Sequence, residues 1–216
     1  MQEHSKTPRL ANRRELIIKT AARLFREKGF EATTVRELAN AVHLQSGSLF
    51  FHFESKEEIL LAVLEGGLLR AVAILNRSLH KARTPREKLA AIFHGHLKAI
   101  LEEERDAFTI ILRDWRTLSP RSRKAVIALR DKYEEHIDRV LREIAHEPFI
   151  PKDIRLFRLF LLGALNWTVQ WYRPGGALTA DQLAERFLSM VVADKDVAGK
   201  QRPTAKQTRV RAALRL

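Results

Sequence analysis

Apolar residues recur at every third or fourth position along most of this chain, and no segment reads as a convincing β-strand. This spacing places apolar side chains on one face of an α-helix. The leucine and valine series between Leu60 and Leu79 is an extended example. The pattern predicts an all-α protein with nine helices. They span about residues 7–28, 34–41, 45–51, 55–81, 85–101, 106–118, 120–146, 152–172 and 180–192.

Helix ends carry their own signals. Gly29 follows the first helix and suits the left-handed conformation of a C-terminal cap. Ser55 with Glu58 forms a capping-box signature, and Thr84-Pro85 is typical of a helix start with proline in the first turn. The eighth helix is apolar nearly all round from Leu156 to Leu165, which predicts burial between its own domain and a second copy of the chain.

These elements predict two domains and a tail: residues 1–54, residues 55–194, and a basic, flexible segment over residues 195–216. Gly66-Gly67 lies inside the fourth helix, where each glycine costs about 1 kcal/mol relative to alanine. The pair is compatible with a hinge between the domains or with a close packing point against the first helix.

The net charge of +13 is concentrated at the ends of the chain. Residues 1–56 hold 10 Lys and Arg against 6 acidic residues, and residues 195–216 hold 7 against 1. The segment between them holds 22 against 19 and is nearly balanced. Basic ends of this kind favour a polyanionic partner.

Several classes of protein find no support in the sequence. There is no cysteine, which excludes disulfides and thiolate metal sites. His94 and His96 are two apart on a helix and point to different sides, so they make a poor metal pair. No Gly-rich phosphate loop follows a strand, and no nucleophile elbow is present. We therefore expect no enzymatic activity, no metal, no cofactor and no membrane span, in a cytoplasmic protein.

Residues 33–56 read as a helix-turn-helix, the unit that places its second helix in the major groove of DNA. Thr33 and Thr34 open a short helix with an apolar face, and a turn follows at His43 and Leu44. A second short helix then begins near Gln45 with small polar residues that let its backbone approach DNA closely.

The motifs ARLFREKGFEATTVRELA (residues 22–39) and GSLFFHFESKEEIL (residues 47–60) resemble, in order and spacing, the N-terminal domain of the tetracycline-repressor (TetR-type) family. The resemblance covers residues 9–65. It implies a bacterial one-component regulator, a homodimer, and a divergent C-terminal helical domain whose ligand releases the protein from DNA.

Carried over from the family, the DNA contacts come from the second and third helices and the start of the fourth. Leu49, Phe51 and Phe53 are interpreted as core. Three positions depart from the family pattern: His43 stands where the turn usually has glycine, Gln45 where a Ser or Thr cap is common, and Phe50 where tyrosine is common. The implied DNA-contacting residues are Thr34, Arg36, Gln45, Ser46, Gly47, Ser48, Phe50, His52 and Lys56.

The segment GALNWTVQWYRPGG (residues 163–176) resembles one found in members of this family that respond to acyl-CoA thioesters. Asn166 and Gln170 are four apart and would share a face that hydrogen-bonds a ligand carbonyl, while Trp167 and Trp171 would wall an acyl tunnel. The alternative is that the tryptophans are core and Asn166 orders a helix contact at the dimer seam. Arg113 and Arg116 are the best candidates for holding phosphates of a CoA-like ligand.

The sequence thus predicts a ligand-responsive, DNA-binding transcriptional regulator, a repressor that binds a pseudo-palindromic operator as a homodimer through helices eight and nine. An acyl-CoA is the leading effector, and a drug-like or aromatic molecule is the runner-up. The other alternative is a constitutive DNA-binding factor without an effector. A large cavity in the C-terminal domain would favour the sensor, and a filled core would favour the constitutive factor.

Overall fold

The computed structural model describes residues 6–115 and 118–192, and within these ranges every regular element is helical. The predicted basic tail, residues 195–216, and Arg116 lie outside the described residues. The described elements confirm the all-α class. They are α1 (Lys6–Lys28), α2 (Val35–Ala41), α3 (Ser46–Leu49), α4 (Lys56–Lys81), α5 (Pro85–Lys98), a π-helical turn (Ala99–Glu103), α6 (Arg105–Asp114), α7 (Pro120–Glu143), α8 (Ile154–Trp171) and α9 (Ala180–Val191).

The predicted caps form most of the helix starts. Thr84 and Thr179 each close a capping box, with Glu87 and Gln182 as the reciprocal partners. At Ser55 only half of the predicted capping box forms: Ser55 accepts a hydrogen bond from the backbone N–H of Glu58, but the Glu58 carboxylate accepts from the N–H of Glu54 and not from that of Ser55. Gly29 has φ 91° and its N–H donates to the carbonyl of Phe25, which ends α1.

The fifth helix ends three residues earlier than predicted and continues as the π-helical turn. Its backbone N–H of Glu104 donates to the carbonyl of Ala99, five residues back. Ala99, Ile100 and Leu101 are consecutive and all buried. The wider turn therefore lies within the core, as does the α-helical part of α5 before it, where Ala91, Ile92 and Phe93 are also buried in succession.

The longest helix, α4, runs through the middle of the fold and packs against α1, α5, α6 and α7. Gly67 of α4 lies against Ala107 of α6: a Cβ at Gly67 would meet the Cβ of Ala107 at 2.3 Å. The glycine therefore permits close packing against α6, whereas the two alternatives drawn from the sequence were a hinge and a packing point against the first helix. The contact joins the two helices that lie between the N-terminal head and the rest of the chain.

A charged network fastens α8 to α7. Arg158 of α8 pairs with Glu134 and Asp138 of α7, and its Nε lies 2.7 Å from Oδ1 of Asp138. All three side chains are mostly buried. One side of α8 is thus fixed to its own domain, and the opposite side takes no part in this network.

Candidate functional site

The helix α2 is fixed at its start by a compact set of polar contacts. The Oγ1 of Thr34 accepts from the N–H of Glu37, and the carboxylate of Glu37 accepts from the N–H of Thr34 at 2.8 Å. Lys28 Nζ donates to the same carboxylate at 2.6 Å. The bond from Lys28 and those from Thr34 lower the pKa of Glu37 to about 2, so it stays ionised. The contacts tie α2 to the end of α1.

The turn between α2 and α3 has the geometry of a helix-turn-helix. His43 adopts φ 55°, the left-handed conformation expected where glycine is common, and the N–H of Leu44 donates to the carbonyl of Ala39 at 2.8 Å. Gln45 is the N-cap of α3 and makes no side-chain capping bond. Both departures identified in the sequence therefore have their expected local consequences.

Buried apolar residues set the orientation of α2 and α3. Leu38, Val42, Leu49 and Phe53 are each at most 2% exposed and pack into the head. The side of the motif opposite this core faces solvent. Of the nine predicted DNA-contacting residues none is in the core: Thr34, Arg36, Gln45, Gly47 and Phe50 are exposed, and Ser46, Ser48, His52 and Lys56 are partly buried.

Lys56 differs from the other eight because its ammonium group is engaged within the head. Its Nζ donates to the carbonyl oxygens of Phe30 at 2.9 Å and Thr33 at 3.0 Å and lies 4.3 Å from the centre of the Phe30 ring. These contacts join the start of α4 to the loop between α1 and α2. A phosphate contact by Lys56 stays a prediction. In such a contact the ammonium group would bind the phosphate and these carbonyl oxygens at the same time.

The prediction that Phe51 belongs to the core is wrong. Phe51 is 89% exposed, whereas Leu49 and Phe53 are buried. α3 ends at Leu49. Residues four apart lie on the same side of a helical turn, so Leu49 and Phe53 both face the core. Phe51 lies midway between them in the sequence and faces solvent. The four-residue spacing of its buried neighbours was the signal that sequence reasoning missed. An aromatic ring in open solvent beside α3 adds Phe51 to the candidate DNA-contacting residues.

A cavity of about 190 Å³ lies within the C-terminal helices. Side chains from α4, α5, α6, α7 and α8 converge on it, and most of them are apolar. Its solvent side is formed by residues that are partly or fully exposed, among them Ile127, Arg130 and Glu134. Its lining residues are Leu68, His96, Phe108, Ile111, Leu112, Trp115, Val126, Ile127, Arg130, Tyr133, Glu134, Leu162 and Asn166.

A chain of three polar side chains forms one wall of the cavity. His96 Nδ1 lies 2.7 Å from the hydroxyl of Tyr133, and His96 Nε2 lies 3.1 Å from Oδ1 of Asn166. Burial lowers the pKa of His96 to about 4 and raises that of Tyr133, so both groups are neutral at physiological pH. With Oδ1 of Asn166 as acceptor, Nε2 carries the hydrogen and Nδ1 accepts from Tyr133.

Of the six predicted ligand residues, Arg116 lies outside the described residues, and the other five do not line one cavity in the protomer. Asn166 lines the cavity, but Gln170, Trp167 and Trp171 are exposed, so the expectation of a shared ligand-binding face for Asn166 and Gln170 is not met here. The alternative of core tryptophans is wrong as well, because Trp167 is 66% exposed. Gln170 follows Asn166 by four residues, and the rotation of the helix over these residues places Gln170 outside the narrow buried stripe of α8.

Arg113 and Asp114 join α6 to the head. Arg113 donates to the carbonyls of Phe25 at 2.6 Å and Arg26 at 3.0 Å, at the C-terminal end of α1, and pairs through two nitrogens with Asp114. Asp114, only 9% exposed, also accepts from the N–H of Phe30. Pairing with Asp114 raises the pKa of Arg113. In this arrangement the guanidinium is occupied by protein groups, and a phosphate-binding role for it stays untested.

A larger cleft of about 340 Å³ lies between α1 of the head and α6. It is lined mainly by charged residues of α1, α4 and the π-helical turn, among them Glu15, Lys19 and Glu102. Arg70 forms a two-point ion pair with Glu104 across it, and Arg26 pairs with Asp106. We assign ligand binding to the smaller cavity, because its lining is mainly apolar and buried and this cleft is a charged interdomain groove.

The outer face of α8 is apolar and uncovered in the protomer. Six of the ten large hydrophobic side chains that are exposed in the described ranges lie on α8 and α9. Five of them lie on α8, on the side of the helix opposite the ion pairs of Arg158, and Met190 lies on α9. Contiguous exposed apolar surface of this kind marks an interaction site. The residues are Leu156, Leu159, Phe160, Trp167, Trp171 and Met190.

His94 links α5 to α9, and its contacts predict that the stability of the protein depends on pH. Its Nδ1 lies 2.9 Å from Asp181 and its Nε2 2.7 Å from Glu185. Burial lowers the pKa of His94, but the bonds to both carboxylates outweigh it and the net pKa is raised from 6.5. The stabilisation is therefore complete below pH 6.5 and is lost as the pH rises through the raised value. His94 and His96 point to different sides, as predicted.

We expect His94→Gln to lower the unfolding free energy at pH 5.5 more than at pH 8.5. Urea unfolding of the wild type and of His94→Gln across this pH range measures the difference in unfolding free energy. The other histidines titrate in both proteins, so their contributions cancel in this difference. The double variant Asp181→Asn with Glu185→Gln should reproduce the profile of His94→Gln. A pH-independent difference would show that His94 contributes no charged link.

Two further structural findings bear on function. None of the described helices is long and apolar enough to cross a membrane. Within residues 6–115 and 118–192 no group of three or more histidine or acidic side chains is placed to hold a metal ion.

Two parts of the chain match family descriptions. Residues 17–63 match "Bacterial regulatory proteins, tetR family", and residues 82–194 match "Tetracyclin repressor-like, C-terminal domain". The first match contains α2, the turn and α3, and the second contains the outer face of α8 and all of the residues that line the cavity except Leu68.

The chain is also similar to named proteins along most of its length. The transcriptional repressor KstR2 of Mycobacterium tuberculosis is 34% identical over 185 residues, 84% of this chain and 92% of that protein. Its solved structure, described as a ketosteroid transcriptional regulator, superposes with a TM-score of 0.71. The superantigen PfiT is 44% identical with a TM-score of 0.74, covering 85% of this chain and 97% of PfiT.

AibR, solved in complex with isovaleryl coenzyme A and operator DNA, is 26% identical to this chain. Its TM-score is 0.74, over 82% of this chain and 97% of AibR.

Proposed function

Because the chain belongs to the TetR family of bacterial transcriptional regulators, we propose that it is a repressor released from its operator by a small acyl-CoA thioester. Residues 1–54 act as the DNA-binding head and residues 55–194 bind the effector and form the dimer. Family membership places the chain among DNA-binding regulators and not among enzymes.

One observation supports effector control more than any other: the last turn of α6 faces both sites. Ile111, Leu112 and Trp115 line the cavity, while Arg113 and Asp114 of the same turn bond the end of α1 and the loop after it. A ligand that displaces this turn changes the position of the head. The cavity also favours a sensor over a constitutive DNA-binding factor, for which a filled core was expected.

The choice of an acyl-CoA rests on two supports. AibR, of similar fold, is described in complex with isovaleryl coenzyme A and operator DNA. The cavity of this chain combines an apolar lining with one polar wall at Asn166, as an acyl group with a thioester carbonyl requires. A drug-like or aromatic effector is the second candidate, since the apolar lining with Phe108 and Trp115 suits it as well.

The proposed repressor is a two-fold dimer through the outer face of α8 together with α9. Two heads related by a two-fold axis read an inverted repeat, with half-sites about 34–36 Å or a multiple of that apart. The proposed DNA contacts are the nine residues named from the sequence together with Phe51.

The function is tested by selecting a binding site from a random duplex pool with the purified protein and then adding CoA thioesters. We expect an inverted repeat to be selected, and fluorescence anisotropy of that duplex to fall when the effector is added. Free CoA and the matched free acids are the controls. Selection of a single half-site, or binding that no thioester reverses, would contradict the proposal.

Phe51→Ala should weaken operator binding about tenfold, the scale of one base-pair contact. The ring is 89% exposed in the protein alone, so its removal should leave thermal stability unchanged. Anisotropy titrations at fixed salt measure the affinity, with scrambled duplex as the reference. Phe53→Ala is the matched control: its ring is buried, so it should lower the melting temperature. Unchanged operator affinity in Phe51→Ala would remove Phe51 from the interface.

A further inference from the structure

The cavity volume limits the size of the effector, on the premise of the proposed function. A cavity of 150 Å³ that binds benzene corresponds to roughly 25 Å³ per non-hydrogen atom. At that density, 190 Å³ accommodates roughly seven or eight non-hydrogen atoms. A four-ring steroid skeleton of about 17 carbons would need roughly 425 Å³. The cavity in this chain can therefore enclose less than half of a steroid skeleton or of a long fatty acyl chain.

The polar wall determines what the effector must carry. The Oδ1 of Asn166 is used by His96, whose own two nitrogens are both satisfied, by Asn166 and by Tyr133. The amide nitrogen of Asn166 has no hydrogen-bond partner among the described residues, and Asn166 lines the cavity. An amide N–H can only donate. The wall thus presents a donor to the cavity, which selects for a ligand with a hydrogen-bond acceptor such as a carbonyl.

His96 keeps this donor in place. It is buried, and its pKa of about 4 keeps it neutral, so it donates to Asn166 rather than competing for a negative ligand group. Tyr133 donates to the other nitrogen and fixes the tautomer. The three side chains come from α5, α7 and α8, so the position of the amide group is set by the packing of three helices.

We propose that the effector buries a short acyl group of about five to seven carbons in this cavity and that its carbonyl accepts a hydrogen bond from the amide nitrogen of Asn166. Together with the carbonyl oxygen such a group has about six to eight non-hydrogen atoms, within the capacity of roughly seven or eight. The rest of the bound thioester extends out of the cavity past Ile127, Arg130 and Glu134, on its solvent side.

The first test is a calorimetric titration with acetyl-, isovaleryl-, hexanoyl-, benzoyl- and palmitoyl-CoA and with the CoA thioester of a steroid carboxylic acid. Affinity should be highest for the isovaleryl, hexanoyl and benzoyl compounds, and at least tenfold lower for the palmitoyl and steroid compounds. Tightest binding of either large compound would overturn the size limit and leave the acyl-CoA function standing. Binding of no thioester would refute the proposed function.

The cavity itself is tested without CoA by a pair of small molecules with seven non-hydrogen atoms each. Cyclohexanone carries a carbonyl and methylcyclohexane does not. Chemical-shift titrations measure the affinity for cyclohexanone relative to that for methylcyclohexane. This ratio should be about tenfold lower in Asn166→Leu than in the wild type, the effect of one hydrogen bond. Asn166→Asp, which keeps an acceptor for His96 but has no amide donor, should also lose the preference. An unchanged ratio in both variants would overturn the assignment of Asn166.

A third variant moves the size limit. Leu112→Ala removes three carbons from the lining and should shift the preferred acyl chain towards about three more carbons. Leu112 is only partly buried, so the variant is expected to fold. Leu129→Ala is the control, since Leu129 is also partly buried but does not line the cavity. The same chain-length preference in both variants would place the acyl group elsewhere.

Discussion

Phe160→Glu is expected to convert the protein to a monomer and to weaken operator binding by about two orders of magnitude. Phe160 is 65% exposed in the middle of the outer face of α8, with Leu159 next to it, Leu156 one turn before it and Trp167 two turns after it. A carboxylate there would be buried without a partner in the proposed dimer, which is strongly unfavourable. Each head alone then binds one half-site and loses the avidity of the pair, which is worth about 10²–10⁴ in affinity.

Light scattering after size-exclusion chromatography measures the first effect, against a protomer mass of 24.9 kDa. Anisotropy with a full operator and with a single half-site measures the second, because the variant should bind both with similar affinity. Leu69→Glu is the control: Leu69 is 59% exposed but lies on α4, so this variant should stay dimeric. A dimeric Phe160→Glu protein would show that α8 is not the interface.

Asp114→Leu is expected to lower the unfolding free energy by about 2 kcal/mol and to weaken the link between effector and operator. The variant leaves Arg113 beside the carbonyls of Phe25 and Arg26 without its counter-ion and removes the acceptor of the Phe30 N–H. Breaking a buried pair costs about 3–5 kcal/mol, and the partial exposure of Arg113 reduces this.

Urea unfolding gives the stability difference, and operator titration with and without the most tightly bound thioester gives the coupling. The variant should still bind the thioester, since Asp114 does not line the cavity. Glu103→Ala removes exposed ion pairs with Arg77 and Lys98 and should change stability by less than about 0.5 kcal/mol. If Asp114→Leu is released from operator as completely as the wild type, the Arg113–Asp114 pair does not carry the coupling.

Local signals along the chain predicted the helical class and most helix starts. Capping residues such as Thr84 and Thr179 act on neighbouring backbone groups, so a few adjacent residues are enough to place them. The helix-turn-helix was predicted for the same reason, including the positive φ of His43 and the uncapped start at Gln45.

Packing between distant residues was beyond these signals. Gly67 was expected to pack on the first helix or to act as a hinge, but it lies against Ala107, forty residues later in the chain. Phe51 was assigned to the core together with Leu49 and Phe53, yet it follows the short α3 and faces solvent. The cavity wall of His96, Tyr133 and Asn166 joins three helices, and no local pattern relates those positions.

The sequence by itself determined the helices, the DNA-binding motif and the family, because these depend on periodicity and on contacts between near neighbours. Only the tertiary structure decided which side of α8 is uncovered, which residues enclose the cavity, and that one turn of α6 faces both the cavity and the head. The physical reason is that a helix pattern gives the apolar face but not its partner. The partner is chosen by side-chain volume and charge pairing between segments far apart in the chain.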